Sequence, residues 1–172
     1  KDRKYLLRII DKERSDKENI WLKRKLKEYK VSGEDINELL NRIDIIPVSI
    51  ALAQAAKESG WGTSRFALEG NAIFGQWTWG KRGIEPLEKT KNQTHKILKF
   101  PILRASIKAY VTNLNTHKSY NSFRFKRNEI RASNKQLKGL DLIHELNNYA
   151  QTGKVYTETL EKIIKQNSLD DF

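Results

Sequence analysis

The segment from Pro47 to Gly62 constrains the fold more than any other part of this 172-residue chain. Proline suits the first turn of a helix, where its missing N–H would have had no partner, so Pro47 marks a start. Val48, Ala51, Leu52 and Ala55 follow at the i, i+3, i+4, i+7 spacing of one apolar helix face. Gly60-Trp61-Gly62 predicts the stop, because glycine readily takes the left-handed conformation that closes a helix. Glu58 comes three residues after Ala55. The spacing therefore extends the apolar stripe with a carboxyl in the last turn. Lost solvation raises a carboxyl's proton affinity, and a carboxyl that keeps its proton near neutral pH can give it to a leaving group. The plainer alternative is a helix-end glutamate paired with a nearby lysine or arginine.

Helical patterns flank this segment. Leu6, Leu7, Ile9, Ile10, Trp21, Leu22, Leu26 and Tyr29 are spaced helically over residues 1–30, and Ser15 with Glu18 has capping-box spacing. Two helices joined near Ser15 are expected there. A second start at Ser32 to Asp35 precedes a short helix through Leu39 and Leu40. After Pro101 helical periodicity returns over 102–117, 123–131, 140–149 and 155–164, with Gly153 closing a helix before the last one. Between these halves Gly70, Gly75, Gly80, Gly83 and Pro86 punctuate a stretch holding Trp77 and Trp79, and Ile97 and Phe100 suit a short strand. The expected class is mainly α, formally α+β. A small irregular β-lobe is inserted after the helix that carries Glu58.

With no cysteine there is no disulfide framework, thiol nucleophile or thiolate metal site. His95, His117 and His144 lack zinc-ligand spacing, so neither metal nor cofactor is expected. Phosphate-binding loops, dinucleotide fingerprints and serine-hydrolase elbows are missing too. Any hydrolytic chemistry falls to carboxylates. The 33 Lys and Arg outnumber 21 Asp and Glu, giving a net charge of +12. Such a balance favours a polyanion, be it nucleic acid, acidic wall polymer or anionic lipid. The basic stretches Lys23-Arg24-Lys25 and Arg124 to Arg131 read as solvated helix faces. No apolar run approaches the roughly 18–20 residues of a membrane span. The chain begins at Lys1, so a removed signal peptide or anchor is compatible with it.

Asn71, Phe74, Gln76, Trp77 and Trp79 bring aromatic and amide groups together close behind Glu58. Aromatic faces stack on the C–H faces of sugars and amides bond their hydroxyl and acetamido groups, which suits a carbohydrate groove. Nucleobases would stack there as well, and a small core beneath the loop is the structural alternative. Tyr149, Gln151, Tyr156 and Thr157 form a second polar-aromatic group around Gly153.

The run from Pro47 through Glu58-Ser59-Gly60-Trp61-Gly62 to Ala67, followed by Glu69-Gly70-Asn71-Ala72-Ile73-Phe74-Gly75-Gln76-Trp77, resembles the bacterial β-N-acetylglucosaminidase domain of the family 73 glycoside hydrolases, in its Bax-like branch from Gram-negative bacteria. The likeness continues in Ser106 to Tyr110, Asn113 to His117, Tyr120 with Phe123-Arg124, and Tyr149 to Tyr156. It covers about residues 40–167. The resemblance implies a lysozyme-like fold over residues 41–172, with residues 1–40 as an N-terminal helical extension packed on it. It implies cleavage of the β-1,4 bond after N-acetylglucosamine in peptidoglycan, with Glu58 as general acid and Tyr149, then Tyr156, as the family tyrosine. Glu85 and Glu88 are the acids available in the β-lobe, and Glu88 is taken as partner because it lies nearer the expected strand. Such a carboxylate would activate water in an inverting reaction, unless the substrate's acetamido group acts as nucleophile instead. The implied protein is an exported monomer of the periplasm or envelope that takes glycan strands and no nucleic acid. A muramidase or lytic transglycosylase of the same fold, or a non-catalytic glycan-binding module, is the alternative.

Overall fold

The computed structural model describes residues 1–78, 80, 83–85 and 96–172. Its first three helices form a layer of their own. α1 (Asp2–Ile9) and α2 (Asp16–Glu28) meet at Ser15, whose N–H donates to Glu18 Oε2 at 2.9 Å in the expected capping box. The start of α3 (Ile36–Arg42) is capped by Asp35, which accepts from the Glu38 N–H at 2.9 Å, so the cap falls at the end of the predicted Ser32 to Asp35 stretch. Leu6, Ile9, Leu22, Leu26, Leu39 and Ile43 close a small hydrophobic cluster between these helices.

α4 (Val48–Ser59) begins just after Pro47 and ends at Gly60, whose φ of +55° is the left-handed conformation expected there. Its buried face is not the predicted one. Val48 and Leu52 are exposed, whereas Ser49, Ile50, Ala53, Gln54 and Ala56 are buried. The helix is apolar almost all round, so periodicity could not select a face. Polar groups on the inner face settle the matter: Gln54 has buried partners there, and the Gly139 backbone lies so close that a Cβ on it would sit 2.2 Å from Ser49 Oγ.

α5 (Arg65–Gly70) leads into a lobe of three short antiparallel strands, β1 (Trp77–Thr78), β2 (Gly83–Ile84) and β3 (Lys96–Leu98), in the order β1-β3-β2. Trp77 pairs with Ile97 and Gly83 with Leu98. Phe100 lies beyond the strand and is buried, its N–H donating to Gly70 O. α6 (Leu103–Thr116) and α7 (Asn121–Ala132) match the predicted spans closely. The segment predicted as a helix over 140–149 is instead a 3₁₀ stretch, Ile143–Tyr149, broken at Leu146. Two consecutive asparagines there, Asn147 and Asn148, are weak helix formers. Gly153, at φ +53°, caps the start of α8 (Lys154–Gln166).

Ile50 and Ala53 of α4 pack with Tyr110 and Leu114 of α6, Phe123 and Ile130 of α7, Leu142, Ile143 and Leu146, and Tyr156, Leu160 and Ile164 of α8. Each fully buried aliphatic or aromatic side chain there contributes about 1.5–3 kcal/mol. The result is mainly helical with a small β-lobe, as expected.

Asp44 joins this core to the N-terminal layer. Arg131 grips its carboxylate with two hydrogen bonds, at 3.0 and 3.1 Å, and Arg3 approaches at 3.4 Å. Buried Arg127 lies 4.0 Å away and donates to the Asn41 and Ile45 carbonyls, both at 2.8 Å. No described helix is long and apolar enough to cross a membrane.

Candidate active site

Glu58 stands four residues beyond Gln54 and eight beyond Ile50, on the i+4 row that faces the core. It is therefore partly desolvated, although by a different row from the one periodicity suggested. Beyond it the chain turns at once. Ser59 Oγ donates to Ala55 O at 2.6 Å and accepts the Gly62 N–H at 2.7 Å, and Ser64 caps α5. That tight turn keeps the last turn of α4 intact and holds Glu58 at the helix end.

Behind the carboxyl runs a directional chain of buried hydrogen bonds. Tyr110 O–H donates to Gln54 Oε1 at 2.7 Å, and Gln54 Nε2 donates to the Tyr156 oxygen at 3.0 Å. The Tyr156 O–H is thereby left to donate to Glu58. Burial pushes the Glu58 carboxyl above the usual glutamate range, against smaller opposing effects from the Tyr156 hydrogen bond and the Lys57 charge. A helix C-terminus, with its negative dipole end, is also a poor place for a carboxylate. Burial likewise holds the Tyr156, Tyr149 and Tyr120 hydroxyls above the usual phenol range. They stay neutral donors.

In front of Glu58 lies a cleft of about 980 Å³. Phe74, Gly75, Gln76 and Trp77 of the β-lobe form one wall. Asn113, His117 and Tyr120 line it too, as does the segment from Asn147 to Gly153. Tyr149 and Tyr156 stack with ring centroids 5.6 Å apart, and Tyr149 O–H reaches across to Phe74 O at 3.1 Å. Gly75 passes against the acid with φ +60°, where a Cβ would lie 3.0 Å from Glu58 Oε2. Both its conformation and that contact call for glycine.

The predicted residues divide on inspection. Glu58, Gln76, Trp77, Tyr149 and Gln151 line the cleft. Phe74, expected to hold sugar, also borders the cleft but is only 3% exposed, its ring stacked on Tyr110 at 3.8 Å. Asn71 is a helix-closing residue at φ +49° that donates to Phe100 O at 3.1 Å, and it does not line the cleft. Tyr156, expected to touch substrate, is buried behind Glu58 and acts on the carboxyl. Glu85 is paired with Lys96 at 3.0 Å and lies off the cleft. Trp79 and Glu88 fall outside the described residues. Thr157 is buried, bonded to Asn147 Oδ1 and Lys154 O.

Several cleft residues had not been given a role by the sequence. Asn113, His117, Tyr120, Asn147 and Asn148 come together only in the fold. Gln54 and Gly75 carried a usable signal: one is a polar residue four before Glu58 inside an apolar helix, the other a glycine between two aromatics. Among the described residues Glu58 is the sole acid lining the cleft, and no group of three or more potential metal ligands occurs.

A helical domain thus delivers one partly desolvated glutamate to an open cleft beside a small β-lobe. The comparison with known families is specific. The glucosaminidase family, described as mannosyl-glycoprotein endo-β-N-acetylglucosaminidase, matches residues 33–169, and the chain belongs to it. It is 39% identical over 131 residues to Protein bax of Escherichia coli (strain K12), which covers 76% of this chain and 46% of that protein. The chain thus spans about half the length of this relative. No solved structure gives a significant match.

Proposed function

We propose that the protein is an endo-β-N-acetylglucosaminidase that cleaves the β-1,4 bond after N-acetylglucosamine in peptidoglycan, with Glu58 as general acid. The observation that carries this reading is the protonation bias of Glu58 at the cleft wall. Its carboxyl is desolvated and bonded by Tyr156, and the described cleft presents no second acid. Protonated Glu58 gives its proton to the glycosidic oxygen as the bond breaks, and the resulting carboxylate takes up the Tyr156 hydrogen bond. Trp77, half exposed on β1, stacks on a sugar face. Gln76 Oε1 is buried with no hydrogen-bond partner among the described residues, and it accepts from an acetamido or hydroxyl group. Tyr149 shapes the wall while its hydroxyl ties that wall to the β-lobe.

Glu88 is our assignment for the base of an inverting reaction. A second reading is favoured by the single described acid in the cleft: the substrate's acetamido group acts as nucleophile and Tyr149 orients it. We also divide the chain into a helical extension, 1–40, and a glucosaminidase domain, 41–172; two separate hydrophobic clusters support a two-part chain, with α3 and Ile43 closing the first of them. The positive charge suits an anionic wall, and an exported, monomeric envelope protein follows from the family reading.

The test is digestion of purified peptidoglycan by the wild type and Glu58→Gln, with mass analysis of the fragments. New reducing-end N-acetylglucosamine from the wild type alone is expected. Reducing-end muramic acid or its anhydro form would overturn the bond assignment in favour of a muramidase or lytic transglycosylase. Turnover by a folded Glu58→Gln would overturn the role of Glu58.

A further inference from the structure

A second groove, of about 430 Å³, opens from the end of the catalytic cleft. Asn113 and His117 line both hollows, so the two are neighbours along one surface. The floor of the second groove is one face of α6, with Ala105, Lys108, Ala109 and Thr112 at i, i+3, i+4 and i+7. Ala105, Ala109 and Thr112 are the small side chains on it, and Lys108 supplies its charge. Its far wall is Lys30, from the turn that follows α2 in the N-terminal layer. That turn is fixed: Lys30 sits at φ +55°, and Arg42 donates to the carbonyls of both Tyr29 and Lys30 at 2.9 Å. Lys108 and Lys30 are both exposed, neither takes part in an ion pair among the described residues, and no acidic residue lines the groove. His117 Nδ1 accepts the Ser119 N–H at 3.3 Å, which leaves Nε2 for a ligand.

We infer that this groove binds the carboxylates of the peptide branch of peptidoglycan, so that the N-terminal layer selects peptide-bearing glycan. The inference rests on the proposed function, because it assumes that a glycan strand fills the neighbouring cleft. A strand there must send its peptide branches sideways. A groove entered past Asn113 and His117, with two lysines that have no ion pair among the described residues, fits an anionic chain in charge. The residues that create the charge come from opposite sides, Lys108 from the family-matched domain and Lys30 from helices that precede the match at residue 33.

The test compares wild type with the Lys30→Gln/Lys108→Gln double variant, both exposed positions, on three substrates. These are peptide-bearing glycan strands, the same strands with their free carboxyls amidated, and strands stripped of peptide. On the first, KM should rise about 5-fold, the scale of two exposed ion pairs, with kcat unchanged. The effect should fade at high salt. On the other two, wild type and variant should agree. An equal rise on all three would overturn the inference, showing general attraction to the wall, and so would no rise on any. A second arm needs no turnover: a free stem peptide is titrated into the wild type and amide NMR shifts are followed. Shifts at Ala105 and Ala109 that vanish in the variant are expected, and their absence would overturn the inference. Failure of the wild type to cut any strand would count against the proposed function, while the titration still decides the groove.

Discussion

Asp44 and Glu58 are both withdrawn from water, yet the protein treats them in opposite ways. Burial pushes the proton affinity of each upward. At Asp44 the hydrogen bonds from Arg131, the charges of Arg127 and Arg3 and the Ile45 N–H outweigh burial and hold the carboxyl below the usual aspartate range. At Glu58 the counterweights are one phenol and a lysine, and burial prevails. The same functional group is thus held toward its charged form in one place and toward its protonated form in the other. Guanidinium groups make a latch between two hydrophobic clusters, whereas at Glu58 burial favours the proton against a single opposing tyrosine hydrogen bond and a lysine charge. Even the cations feel this, since burial brings Arg127 down to about 10 despite Asp44 beside it, still charged at neutral pH.

Removing the anion should cost more than removing the acid. Asp44→Ala leaves Arg127 buried without its counter-charge, and loss of one partner from such a cluster costs about 3–5 kcal/mol. Thermal melts should show a drop on the order of 10 °C, with activity per folded molecule preserved. A melting point near that of the wild type would mean that the latch is ornamental. Glu58→Gln should do the reverse, lowering kcat by at least about 100-fold without loss of stability. The sign of its pH dependence follows from its folded-state proton affinity, which lies above the unfolded value. The wild type's stability from this group is complete below the ordinary glutamate pKa and is lost as pH rises through the elevated one. The glutamine variant should lack that decline and be at least as stable as wild type at pH 7 in chemical denaturation. Asp44 contributes in the other direction, its stabilisation present above the ordinary aspartate pKa and lost as pH falls through the depressed one.

Two smaller changes sharpen the picture at Glu58 itself. Gly75→Ala puts a methyl group 3.0 Å from the carboxyl oxygen at a left-handed position, so about 1–2 kcal/mol of stability and roughly 10-fold in kcat should go together. Tyr156→Phe keeps the ring stacked on Tyr149 but removes the hydrogen bond that favours the charged carboxyl. Glu58 should then hold its proton to higher pH, and the alkaline limb of the rate profile should move upward. Denaturation should show a loss of about 1 kcal/mol, because Gln54 loses its acceptor. A limb that moves downward would mean that the Tyr156 hydroxyl does not serve Glu58.

Local chemistry made much of this legible in the sequence. The Ser15 and Glu18 capping box, the Pro47 start and the Gly60 stop each follow from one backbone rule; the first and last stand where expected, and Pro47 lies one residue earlier, as the cap rather than the first helical residue. The inner face of α4 did not show itself, because a helix apolar on nearly every side gives periodicity nothing to choose between. Its true face is set by Gln54 finding Tyr110 and Tyr156, partners 56 and 102 residues away in the chain. Glu58 was reached correctly as a desolvated acid even so, by way of the wrong row. Phe74 and Tyr156 sat beside sugar-binding types in sequence, and only packing shows that one closes the core and the other backs the carboxyl. The Asp44 latch was out of reach, since Arg3, Arg127 and Arg131 converge on it from both ends of the chain.

The contrast between the two carboxyls can be read directly by following their side-chain carbon signals in a 13C NMR pH titration, with Glu58→Gln and Asp44→Asn used for assignment. Glu58 should titrate above the ordinary glutamate range and Asp44 below the ordinary aspartate range in the same sample. A Glu58 carboxyl that loses its proton at or below the ordinary value would contradict the role of proton donor that we propose for it.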